Sequence, residues 1–398
     1  MSEAWKTTEL KENKTWKLFH ATDFVSLMYP CYFIANIFGI FPFKCVSSGY
    51  TSSRIRVIYS MIILATFLIL VFYVVYDINC GSSLINTVPK QLNRNLYVIM
   101  AASAVLLTYG QYKAILRFLQ ELTEASTMVA PKDFNDMAKF VHSKDIFVFL
   151  FLSSHAFNCV KSGYTTVTVL NFTALFMMLV NFIMDMFYIN SACVLRACFM
   201  KINEDLDKFR KPVTKTFLRH KQRTASLLMK LKNLEGKQLQ VTDILQLLNK
   251  IFITQLVVTT LKTFTIVTFD LYFCLVRVNG GEPGQTNLIF WYWPYIPPIV
   301  YNFLKFVTMI WACETATNKA GQIRTTLHDA LSEATDLSVK RELELFSLQL
   351  LHCDTTFSAK MFDINAPLLA EIVGGITVYL LILLQFLLNS IVCETKQE

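Results

Sequence analysis

Asp185, Lys262, Asp270 and Lys305 interrupt stretches of this chain that are otherwise apolar. A charge inside hydrocarbon is costly, so such a side chain faces protein or water, finds a partner, or marks a site. Counting inward from the outer edges of their apolar runs puts Asp185 about 33 Å deep and Lys305 about 27 Å deep, at ~1.5 Å per helical residue. Near the same inner level the two either form an ion pair between helices or snorkel separately to the interface. Asp270 lies only about 10 Å from Arg277 and belongs to the outer half. His155, Asn158 and Thr268 share that half with the block "WYWPYIPP" and its neighbour Tyr301. Trp291, Trp293, Tyr295 and Tyr301 offer flat apolar faces with hydrogen-bonding edges, which is how small ligands are commonly held. Trp and Tyr also collect at membrane interfaces without binding anything.

Helices of sufficient length must carry these residues. The chain has 398 residues, of which 54% are hydrophobic, 14% aromatic and only 17% charged, with a mean hydropathy of +0.43. That composition belongs to a membrane protein rather than a soluble domain. Crossing a hydrocarbon layer of about 30 Å takes roughly 20 helical residues. The charge-free runs 57–76, 95–112, 163–184 and 372–393 meet this length, and 146–160, 251–276 and 287–313 are spans with interruptions. The expected fold class is an all-α membrane protein with seven transmembrane helices. Residues 24–43 form an uncharged eighth run, but it holds Pro30, Gly39 and Pro42 and is flanked by basic residues on both sides. Both flanks favour the cytosol, so this run is expected to be interfacial or re-entrant.

The net charge is +8, and its placement reports topology rather than nucleic-acid binding. Lys and Arg concentrate in segments 1–56, about 113–145, about 191–250 and about 314–365. These segments are expected inside, with the N-terminus cytosolic and the C-terminus extracellular. Residues 1–20 carry charges throughout, and no cleavable signal peptide is expected. "LLMKLKNLEGKQLQVTDILQLLNKIF" and "LHDALSEATDLSVKRELELFSLQLLHCD" repeat apolar residues at helical spacing. Helices four to seven are therefore expected to extend beyond the bilayer into a cytosolic anchor. The expected organisation is a cytosolic segment 1–54 with the interfacial helix 24–43, then transmembrane helices one to six over 55–312. A ligand pocket is expected in their outer half, with cytosolic extensions at about 191–250. Anchor helices follow at 313–365, the seventh transmembrane helix at 366–393 and an extracellular tail at 394–398.

The last run carries a specific pattern. Tyr379, five hydrophobic residues at 380–384, then Gln385 and Phe386 resemble the tail signature of insect gustatory receptors, which reads Thr-Tyr, five hydrophobic residues, Gln-Phe. Val378 stands where the threonine is usual, and Thr377 precedes it. "FSAKMFDINAPLLAEIVGGI" and "YFIANIFGIFPF" also look like that family's run-in to its last helix and its N-terminal stretch, so the resemblance covers the whole chain. It implies a tetrameric ligand-gated cation channel with one central pore lined by the seventh helices. Tyr379, Gln385 and Phe386 would be its pore and gate residues. Tyr379 and Phe386 share a helix face, with Gln385 about 100° aside. Four copies could form a polar ring beside an apolar one able to exclude water. A glutamine bonding a neighbouring helix is the other reading.

The implied partners are a small-molecule tastant, permeant sodium, potassium and calcium, membrane lipids, and other copies in a homotetramer or a heteromer with other gustatory receptors. The implied location is the plasma membrane of chemosensory neurons, multi-pass. Leu380 stands where the main sweet-receptor clade has Glu, which leaves a sugar such as fructose, or a bitter compound. No enzyme motif, no metal-ligand spacing and no cofactor signature is present. The alternatives are an odorant receptor-type channel, which lacks the Gln-Phe ending, and a secondary transporter, which would show internal repeats.

Overall fold

Without water inside a bilayer, a chain this apolar must satisfy its backbone internally, and it does so with helices. The computed structural model describes residues 17–46, 49–81, 88–160, 165–214, 222–279 and 295–394. Its order is α1 (Phe24–Ile37), β1 (Phe43–Val46), β2 (Gly49–Ser52), α2 (Arg54–Cys80), α3 (Val88–Gly110), α4 (Tyr112–Ser126) and α5 (Pro131–Val160). There follow α6 (Thr165–Thr214), α7 (Gln222–Asn279), α8 (Ile296–Glu333), α9 (Leu337–His352) and α10 (Ala366–Glu394). The architecture is an all-α membrane fold.

α2, α6, α7, α8 and α10 are each long and apolar enough to cross a membrane. α3 and α4 reach that standard only as a pair bent by 63°. The run 95–112 is thus not one straight helix. It breaks at Gln111, where uniform hydrophobicity gives way to the one-sided face of α4, which buries Ile115, Phe118, Leu119, Leu122 and Ala125. The seventh run, 146–160, is the apolar half of α5, whose first half carries charges as far as Asp145. The sixth expected span begins as a helix at Ile296, with Pro297 and Pro298 in its first turn, where the missing N–H groups have no intrahelical acceptor to lose. Residues 287–294 of that run lie outside the described residues.

α1 has 14 residues, a rise of about 21 Å and too short for a bilayer of about 30 Å. Asp23 and Ser26 cap it reciprocally. His142 of α5 holds it from the side. The Phe19 N–H donates to Nδ1 at 3.1 Å and Nε2 lies 3.0 Å from the Leu27 carbonyl, so the Nε2–H tautomer satisfies both bonds. After α1 the chain turns at Gly39, with φ +67°. A Cβ there would meet Ile63 Cδ1 at 3.0 Å and Ser60 Cα at 3.2 Å, so the turn lies directly on α2. The hairpin pairs Phe43 with Ser52 and Val46 with Gly49. Tyr32 and Arg56 both donate to the Phe43 carbonyl.

α6 is the pillar. Every residue across 180–195 is buried, whichever way it faces. α8 packs along it with Ala312, Cys313, Ala316 and Ala320, small side chains that let the backbones approach closely. Within this seam, Lys305 Nζ lies 3.0 Å from Asp185 Oδ2, with the two side chains 2% and 6% exposed. Beyond the apolar segments, Arg210 of α6 meets Asp329 and Glu333 of α8. α9 docks on α7 through Gln349 and Gln238 at 2.9 Å. α8 and α9 are separate helices, broken before Asp336, which caps α9 by accepting from the Ser338 N–H.

Removing one partner of a buried ion pair strands the other charge, at a cost of about 3–5 kcal/mol, whereas removing both does not. Asp185→Asn and Lys305→Met are expected to lower the melting temperature of the detergent-solubilised protein sharply. The double variant Asp185→Leu/Lys305→Met is expected to melt closer to wild type than either single variant. A double variant that loses the sum of the two would show that the charges are not coupled.

Candidate functional site

α2, α5 and α7 end on the same side of the bundle on which α3, α6 and α8 begin. Between these six helices lies a cavity of about 300 Å³. Its walls are mostly apolar: Val74 and Ile78 of α2, Val98 of α3, Phe151 and Leu152 of α5, Leu170, Met177 and Met178 of α6, and Ile266 of α7. Polar groups converge on it from four helices. α3 supplies Asn93, Arg94 and Tyr97, α6 supplies Asn171 and Asn181, α7 supplies Lys262 and Asp270, and α8 supplies Tyr301 and Asn302.

Helical spacing explains why α7 contributes as it does. Gln255, Thr259, Lys262, Ile266 and Asp270 follow one another at three- and four-residue steps and share one face. Asp270 is nearest the helix end and Lys262 lies two turns deeper, about 12 Å along the axis. Further along the same face, both amide atoms of Gln255 and the Thr259 hydroxyl are buried without a hydrogen-bond partner among the described residues. Asn181 donates to the Met177 carbonyl at 2.7 Å, but its Oδ1 is likewise buried and unpartnered among the described residues. Of these groups Asn181 lines the cavity, and an unsatisfied polar group on an apolar cavity wall is what a polar ligand or ordered water would complete.

The floor of the cavity adjoins the Asp185–Lys305 pair. Tyr301, one helical turn before Lys305, lines the cavity on one side and receives Lys305 Nζ 5.5 Å from its ring centroid.

Of the residues expected to bind ligand, the structure brings Asp270 and Tyr301 into this cavity. Thr268 is buried, but its hydroxyl donates to the Phe264 carbonyl of its own helix at 2.8 Å. Tyr295 caps α8 and packs 6.0 Å from the Phe273 ring. Neither lines the cavity. Trp291 and Trp293, and the side chains of His155 and Asn158, lie outside the described residues. Lys262, Arg94, Asn171 and Asn181 were not identifiable as cavity-lining residues from their place in the sequence. A lysine inside a span was the visible signal for Lys262.

α10 presents a second feature. Tyr379 is 56% and Phe386 70% exposed, and Gln385 is also exposed. Tyr379 meets α7 edge-on, its ring 5.4 Å from Phe264. One turn away, a Cβ on Gly375 would lie 3.1 Å from Phe264 Cε2, so glycine is what lets this ring seat against the α10 backbone.

The sequence profile of the family described as 7tm Chemosensory receptor matches residues 28–390. "Putative gustatory receptor 28b" of Drosophila melanogaster is 28% identical over 145 residues, covering 36% of this chain and 31% of that protein. The match thus spans about a third of the relative's length. Among solved structures, the insect olfactory receptor OR5 from Machilis hrabei superposes with a TM-score of 0.67 at 12% identity, over 90% of this chain and 97% of that one. The same receptor in complex with eugenol gives 0.65 at 13% identity, with the same coverage. At such identity the likeness concerns the fold. With the family profile running through all the membrane-spanning helices, the chain belongs to the 7tm chemosensory receptor family of insect chemoreceptors and is a membrane receptor rather than an enzyme.

Proposed function

We propose that this chain is a gustatory-type receptor subunit that opens a cation-conducting pore when a small extracellular tastant occupies the six-helix cavity. The observation that carries this is the double contact of α7. One segment of it lines the cavity with Lys262, Ile266 and Asp270, and Phe264 from the same segment packs against Tyr379 and Gly375 of α10. A ligand that shifts α7 bears directly on α10. The match to a gustatory receptor supports the ligand type, and the eugenol complex supports small-molecule binding in a protein of this fold.

α10 leaves Val378, Tyr379, Leu381 and Phe386 largely exposed along its length. We assign this surface to lipid and to other copies of the chain, with four α10 helices around one pore carrying sodium, potassium and calcium. Gln385 and Phe386 then form adjacent rings, the apolar one dewetting the closed pore. The basic segments face the cytosol. The extensions of α6, α7 and α8, with α9, form the cytosolic anchor, and the cavity opens outward, in the plasma membrane of chemosensory neurons. An odorant-type channel would share this mechanism and differ in its ligand. The Gln385–Phe386 ending favours the gustatory type, for a sugar such as fructose or a bitter compound.

Four outcomes test this. Phe386→Ala is expected to raise ligand-free current, and Gln385→Glu to move reversal potentials toward stronger cation preference, both in whole-cell recordings. Wild-type behaviour from both would remove these side chains from the pore. Met178→Trp, which fills the cavity, is expected to raise the half-maximal agonist concentration at least about tenfold by excluding the ligand. An unchanged dose response would move the ligand site elsewhere. A tag after Glu398 is expected to stain on intact cells and one before Met1 only after permeabilisation, and the reverse pattern would invert the topology.

A further inference from the structure

Lys262 is only 7% exposed and lines the cavity, yet it forms no ion pair or hydrogen bond with any described residue. The carboxylate whose charge reaches it, Asp185, is already paired with Lys305. Two lysines therefore share one carboxylate at the deep end of the cavity, leaving one positive charge unmatched. Asp270 stands two turns away on the same face and Arg94 reaches the cavity from α3, while the wall between Lys262 and Asp270 is apolar, with Ile266 on α7 and Met178 on α6.

Resting on the assignment of this cavity as the ligand site, we infer that its ligand is a small monocarboxylate with an apolar body, its carboxylate seated on Lys262. A single unmatched ammonium in low dielectric selects a single negative charge. A lysine that is neutral in the empty cavity reaches the same complex, because an entering carboxylic acid transfers its O–H proton to Nζ and leaves the same ion pair. The apolar body covers Ile266 and Met178, and Oδ1 of Asn181, unpartnered among the described residues, offers an acceptor to any hydroxyl or amide the ligand carries. At the other end both Asp270 and Arg94 reach the cavity, so a neutral tail that donates or accepts a hydrogen bond is accommodated there.

The test uses the full chain in detergent, with its melting temperature followed by fluorescence-detected gel filtration across ligand titrations. The probes are hexanoate and 3-phenylpropanoate and their amides, hexanamide and 3-phenylpropanamide. The two monocarboxylates are expected to stabilise the wild type, with both amides at least about tenfold weaker. Lys262→Met is expected to abolish the preference for acid over amide, and Lys262→Arg to retain it. Because wild type alone distinguishes acid from amide, a poorly folding variant does not rescue the inference. Equal binding of acids and amides, no binding by any probe, or an acid preference that survives Lys262→Met each overturns it. Met178→Trp separates this from the assignment of the cavity. If it removes probe binding that was indifferent to charge, the cavity stands and the carboxylate inference falls. If it leaves acid binding intact, the cavity assignment falls and this inference with it.

Discussion

The ion pair between Asp185 and Lys305 is the constraint around which the rest of the bundle is arranged. It sits in the seam between α6, a helix buried on every side along 180–195, and α8, whose small side chains allow close approach. Neither charge tolerates hydrocarbon alone, so the two helices have little freedom to slide past one another. Their fixed relation in turn positions Tyr301, which stands between the pair and the cavity. It also occupies the carboxylate near Lys262, which leaves that lysine at the cavity without an ion-pair partner among the described residues.

α7 links features that would otherwise be separate. Its 58 residues run from the helices packed beyond the apolar zone, through the cavity wall, to the ends of α2 and α5. Along one face the side chains change from Gln255 and Thr259, buried and unsatisfied among the described residues, to Lys262 and Asp270 at the cavity. Along another, Phe264 meets α10. A single helix thus touches both the cavity and α10, with no loop between them to absorb a displacement.

Much of the fold was legible because hydrocarbon imposes length and polarity rules that single residues obey. Among the described residues the apolar runs fell on helices, and Asp185 and Lys305 could be placed at matching depth by counting along them. The breaks were not legible. No Pro marks either the bend at Gln111 or the interruption before Asp336. At the cavity, Asp270 and Tyr301 were visible as a charge and an aromatic at suitable depth. Thr268 looked equally suitable, but a helical threonine can return its hydroxyl to the carbonyl four residues earlier, and sequence does not say when it will. Lys262 could be seen but not interpreted, since its significance depends on Asp185 being engaged elsewhere, which is a fact of three-dimensional arrangement.

The contact at Gly375 bears on how stiffly the two helices are joined. The Phe264 ring rests against α10 backbone at Gly375 as well as against the Tyr379 ring. Side chains can absorb a push by changing rotamer, whereas a planar ring pressed on a helical backbone has almost no soft coordinate left. The joint therefore behaves as a low-compliance bearing, in which fractions of an ångström at α7 arrive at α10 undiminished. Bulk at 264 and at 375 compete for the same space, so a chain that acquires a side chain at one position must surrender volume at the other to keep the joint tight.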